Sequence, residues 1–155
     1  MILIDTNALV VLMLGIIDPS LIRKSKRTSI YEEEDFNDLL DVIGNIENIV
    51  VLPNIWTEVD NLLNSLGGSY KNQYIQKITE TIKNTSEKYI KSETATLNQC
   101  FFDLGLTDSL ILEYSKECDF LVTSDSRLSD YAHAYGIKVY DMIKVRNEKL
   151  NKNST

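Results

Sequence analysis

Four short runs, Ile2–Ile4, Ile49–Leu52, Phe120–Thr123 and Ile137–Tyr140, constrain what this chain can fold into more than any other feature. The first two are apolar throughout and the third nearly so, with no apolar-polar alternation, which suits strands covered on both faces. Long helix-patterned segments separate successive runs, and strands joined by helices run parallel. The expected fold is therefore α/β: a three-layer α/β/α sandwich around a mostly parallel sheet of four or five short strands. With 155 residues, 43% of them hydrophobic, the chain can bury one core. A single domain is expected over residues 1–150, followed by a polar tail, 151–155.

The connecting segments carry recognisable starts and stops. Asp5-Thr6-Asn7 supplies side chains able to cap a helix beginning near Ala8. Acids at Glu32–Asp35 precede Phe36, Leu39, Leu40 and Ile43, which predict a helix ending near Gly44. Pro53 stops the second strand. Ile55, Val59, Leu62, Leu63 and Leu66 then mark the inner face of a helix closed by Gly67-Gly68. Tyr74, Ile78 and Ile82 predict an amphipathic helix within Tyr70–Lys91. Thr107 is placed to cap a helix at Asp108, with Leu106 and Ile111 as its hydrophobic staple. Leu128, Tyr131 and Ala132 predict a helix ended by Gly136, and a last short helix precedes a frayed tail from Asn151.

Acids mark the ends of these elements. Asp5 follows the first strand, Glu58 lies in the helix after the second, and Asp125 follows the third; Asp108 stands at a helix start. In open parallel sheets ligands bind beyond the carboxyl ends of the strands, so the strand-end acids are expected on one rim. Carboxylates gathered there repel one another unless some are protonated or a multivalent cation holds them. Oxygen-only ligands point to Mg²⁺ or Mn²⁺.

Other chemistries lack their residues. Cys100 and Cys118 have no C-x-x-C spacing, and His133 is the single histidine, so zinc has almost no ligands to use; both cysteines are expected as reduced thiols in or near the core. The apolar start lacks the basic flank and small-residue cleavage site of a secretory signal. Ala8–Ile17 is shorter than the roughly 20 apolar residues a membrane helix needs, and a cytoplasmic protein is expected. The net charge of −7 argues against a generic nucleic-acid binder, but it includes the four acids themselves, and Arg23, Lys24, Lys26 and Arg27 form a local basic cluster able to attract phosphates.

With these residues in order, the chain resembles the PIN-domain ribonucleases, most closely the VapC-type toxin nucleases of toxin-antitoxin pairs. LIDTNALV resembles their first motif, with Asp5 as metal-binding acid and Thr6 and Asn7 as polar neighbours. LPNIWTEVDNLL resembles the second, with Glu58 as its acid, and GLTDSLILEYSKECDFLVTSDSRL the third and fourth joined, supplying Asp108, Thr123 and Asp125. The segment from about Gly67 to Cys100 is longer than in the usual small toxin. The resemblance implies a metal-dependent endoribonuclease in which Mg²⁺ or Mn²⁺, held by Asp5, Asp108, Glu58 and Asp125, promotes phosphodiester hydrolysis. Thr123 and Asn7 would support these ligands. It also implies RNA as substrate, an antitoxin as partner and pairing of two copies. Leu9–Leu14 and the helix containing Trp56 are candidate docking surfaces or plain core.

Three other classes remain to be weighed. A receiver domain needs an acceptor Asp at the end of a middle strand, but Leu52-Pro53-Asn54 follows the second. A phosphatase with an aspartyl nucleophile needs Asp-x-Asp after the first, where Asp5-Thr6-Asn7 supplies only one acid. A catalytically inactive PIN-like RNA- or protein-binding scaffold has no need for all four acids.

Overall fold

The computed structural model describes residues 1–154. Strand β1 (Ile2–Ile4) occupies the middle of a five-stranded sheet. On one side of it lie β2 (Ile49–Val51) and then β3 (Ser86–Glu87); on the other lie β4 (Phe120–Thr123) and then β5 (Val139–Asp141). Every pairing is parallel, with Leu3 opposite both Val50 and Leu121, and Val122 opposite Tyr140. Helices flank the sheet as a three-layer α/β/α sandwich, as the apolar runs predict. Its strand order reverses at β1: the chain builds outward through β2 and β3, then returns to lay β4 against the opposite flank of β1.

Helix α1 (Thr6–Ile17) explains why the opening run has no amphipathic period. Ala8 through Gly15 are all buried, because the helix lies among α2 (Ser20–Lys24), α3 (Glu33–Ile43), α4 (Pro53–Leu63), α5 (Tyr70–Asn84) and the sheet. A helix apolar all round belongs inside a protein. Leu9–Leu14 and Trp56 are therefore core, the first at most 1% exposed and Trp56 6% exposed, while α4 keeps an outer face with Thr57, Asp60 and Asn61 exposed.

One contact of α1 makes a prediction. A Cβ on Gly15 would meet the Phe36 ring of α3 at 2.2–2.5 Å, nearer than any real contact allows. On helix propensity alone Gly15→Ala would stabilise the chain by about 1 kcal/mol. Overpacking against a buried ring is expected to win instead, at a net cost of about 1–3 kcal/mol. Urea denaturation reads the sign, and Phe36→Leu in the Gly15→Ala background should recover part of the loss.

Several boundaries differ from expectation. The second strand ends at Val51, one residue early, and Pro53 opens α4 instead of merely stopping the strand. Helix α5 stops at Asn84; the chain then forms β3, paired to Val50 and Val51. That edge strand is polar and exposed, so it leaves no apolar run to read. After α6 (Ser92–Thr96), helix α7 (Phe101–Ser115) is broken at Gly105, whose φ of +77° suits glycine. Thr107 does not cap the restarted segment, since its hydroxyl binds Glu58, and Leu106 is exposed while Ile111 is buried. Helix α8 (Ser126–Ala134) is capped by Asp125. Helix α9 (Met142–Asn153) is capped by Asp141 and continues through the expected tail from Asn151 to Asn153; Thr155 lies outside the described residues. Cys100 and Cys118 are free, one buried and one half-buried. Among the described residues no helix is long and apolar enough to cross a membrane.

Candidate functional site

The reversal of strand order beside β1 opens a crevice at the carboxyl ends of β1 and β4, the position where parallel α/β sheets hold ligands. A cleft of about 310 Å³ lies there, lined by Asp5, Thr6, Asn7, Arg27, Glu58, Asn61, Leu62, Asp108 and Asp125. Four acids distant in sequence thus share one wall system, and they arrive on four different elements.

Asp5 is both a cap and a buried charge. Its backbone N–H donates to the Val122 carbonyl, continuing the β1–β4 ladder past the strand end. One carboxylate oxygen accepts from Ala8 N–H at 2.8 Å, capping α1; the other accepts from Ser124 N–H at 3.0 Å and from the Thr123 hydroxyl. Only 3% of the residue is exposed. Burial pushes its pKa up to about 6, with Asp125 adding to the rise, against the pull of the three donors.

Glu58 projects from the second turn of α4, deeper into the helix than a strand-end reading implies. The Thr6 hydroxyl donates to one of its oxygens at 2.6 Å and the Thr107 hydroxyl to the other. Asp125 caps α8 through Leu128 N–H at 3.0 Å, and its own N–H donates to the Thr123 hydroxyl oxygen at 2.9 Å. Thr123 therefore links the two strand-end acids directly.

Asp108 differs from the other three. It sits in the restarted segment of α7, and among the described residues no hydrogen bond reaches its carboxylate. Burial, then the charges of Asp125, Asp5 and Glu58, push its pKa up to about 7. A carboxylate left without donors beside three acids is costly unless a proton or cation accompanies it.

The donors suit a hard divalent cation in kind: they are carboxylates from several directions, with hydroxyls behind them. In spacing they are open, because no group of three or more His, Cys, Asp and Glu among the described residues stands ready to hold a metal.

The basic cluster does not act as a unit. Arg27 lines the cleft, whereas Arg23 pairs with Glu32 at 2.5 Å, and Lys24 and Lys26 are exposed residues outside the cleft lining. His133 is exposed on α8 and lies outside the cleft lining, its Nδ1 2.9 Å from the Ser129 carbonyl. Four neighbours of the site escape a reading of the sequence. Asn61 lies one turn after Glu58 on the same helix, a spacing that could have marked it. Thr107 adjoins Asp108, and Ser124 joins Thr123 to Asp125. Tyr31, buried with its hydroxyl 2.7 Å from Ser124 Oγ, has no local sequence signal at all.

No protein-family model matches the chain, and no curated protein matches it. Among solved structures it is similar to a domain of a functionally unknown protein from Methanocaldococcus jannaschii, at 18% identity and a TM-score of 0.45, covering 90% of this chain and 89% of that one.

Proposed function

We propose that this chain is a metal-dependent endoribonuclease of the PIN type, hydrolysing RNA phosphodiester bonds at the acid-lined cleft. The observation that carries the reading is the meeting of Asp5, Glu58, Asp108 and Asp125 in one cleft at the reversal of strand order. A purely structural set of caps would not bring Asp108 there without a donor.

In this reading Asp5 and Asp108 hold Mg²⁺ or Mn²⁺, while Glu58 and Asp125 bind it directly or through water. The cation, when bound, supplies Lewis-acid activation of the phosphate and of an attacking water. The chain's own side chains do the rest. Thr123 and Ser124 fix the Asp5 carboxylate, and Thr6 and Thr107 clamp Glu58, so neither acid must reorganise when substrate arrives. Asn7 and Asn61 offer uncharged amides to the sugar-phosphate backbone. In this reading an antitoxin would not dock on Leu9–Leu14 or on Trp56, which are buried.

The deciding experiment incubates the purified protein with a mixed RNA pool in Mg²⁺, Mn²⁺ or chelator. Cutting that needs the cation is expected. RNA bound but never cut in any metal would leave the inactive scaffold instead, and cutting that persists in chelator would require another mechanism.

A further inference from the structure

Arg27 carries charge of the wrong sign for an acid cleft, yet it does not neutralise any of the acids. It lines the same cleft as Asp5, Glu58, Asp108 and Asp125, but among the described residues it forms no ion pair.

The segment that bears it is held in place from three directions. The buried Thr28 hydroxyl donates to the Ile22 carbonyl at 2.6 Å. Arg146 of α9 donates through Nε to the Ile30 carbonyl at 2.6 Å. The buried Tyr31 hydroxyl meets Ser124 Oγ at 2.7 Å, and the backbone N–H of that same Ser124 donates to Asp5. The segment is thereby registered against the acid that anchors the proposed metal site. An unpaired guanidinium on an anchored segment, lining the same cleft as the carboxylates, is free to contact an anion that enters there.

We infer that Arg27 is a substrate-positioning residue that grips a backbone phosphate of the nucleic acid in the cleft, and that it does so apart from the other cations of its cluster. The inference rests on the nuclease reading for the identity of the cleft. It assigns ground-state binding to Arg27, so the effect belongs in KM and Kd.

The test uses a fluorescein-labelled RNA 12-mer of mixed sequence, with a DNA 12-mer of the same sequence beside it. Binding is followed by anisotropy in the Asp108→Asn background, which removes cleavage, and turnover is followed in otherwise wild-type protein with Mn²⁺. Arg27→Ala should raise Kd and KM about tenfold and leave kcat within about threefold; the slope of log K against log salt should fall by about one. Arg27→Lys should recover part of the loss, and Arg23→Ala, already paired to Glu32, should change Kd less than about twofold. Arg27→Ala with Kd unchanged, an unchanged salt slope, a loss confined to kcat, or an equal loss from Arg23→Ala would each overturn the assignment. Arg27-dependent binding of either oligonucleotide without any cutting by the wild type would defeat the nuclease reading and leave Arg27's role standing. Cutting that ignores Arg27 would do the reverse, and failure to bind either oligonucleotide would defeat both.

Discussion

Replacing Asp5 by Asn is expected to lower metal-dependent RNA cleavage by about a thousandfold, roughly 4 kcal/mol of transition-state stabilisation. The substitution removes the charge that a divalent cation needs at the centre of the cleft. It also sets an amide N–H₂ against at least one of the donors that now face the carboxylate, Ala8 N–H, Ser124 N–H or the Thr123 hydroxyl. The loss should therefore persist at any Mn²⁺ concentration. Thr123→Val provides the contrast, since it keeps shape and charge but deletes one hydroxyl that donates to Asp5. Loss of such a supporting bond typically weakens metal affinity about 10–100-fold, so raising Mn²⁺ should restore most of its activity. Circular dichroism would show that both variants are folded. If Asp5→Asn cut RNA as well as the wild type, the cleft would not be a carboxylate-metal site.

The fold was legible because β1 and β2 are buried throughout and β4 nearly so, and they write themselves as apolar or almost wholly apolar runs. The helices between them left parallel pairing as the expected solution. β3 was not legible, because an exposed edge strand of Ser86 and Glu87 needs only backbone partners, here on Val50 and Val51, and backbone pairing leaves no trace in side-chain type. Glu58, Asp5 and Asp125 could be read as rim residues from their places after strands. What holds them could be read only in part. Thr123 was visible because it ends a strand beside Asp125, but Thr107 looked like a cap, the commonest use of threonine before an acid in a helix start. Its hydroxyl instead donates to Glu58 of α4, two residues past the break at Gly105. The basic cluster misled for a related reason: four cations within five positions look like one patch in sequence, yet the turn between α2 and Tyr31 puts Arg27 in the cleft while Arg23 pairs with Glu32.

Asp108→Asn is expected to make the metal-free protein more stable at pH 8 while removing its activity. Burial and neighbouring charge push the Asp108 pKa up to about 7 and that of Asp5 up to about 6, from the ordinary carboxylate value near 3.8. Both acids thus hold protons in the folded chain that they have already released in the unfolded one. Stability therefore falls as pH rises from about 4 toward 7 and levels off above the folded-state values. The Asp108 shift corresponds to about 4 kcal/mol at full strength, and its partial exposure reduces this to about 2–3 kcal/mol. An Asn at this position carries no charge at any pH and accepts no donor that the Asp had lacked. In chelator at pH 8 the variant should melt about 5–10 °C above the wild type, for a chain of this length. Near pH 4, where Asp108 is protonated in the folded state and about half protonated in the unfolded state, the gap should shrink below about 1 kcal/mol. Mn²⁺ at 1,000 times its Kd should then invert the order, because it adds about 4.1 kcal/mol only to the protein that binds it. Melting curves at pH 4, 6 and 8, with Mn²⁺ and with chelator, contain the whole comparison. A variant that tracks the wild type at every pH, with or without metal, would mean that neither burial nor the neighbouring acids penalise the Asp108 charge and that no cation binds it.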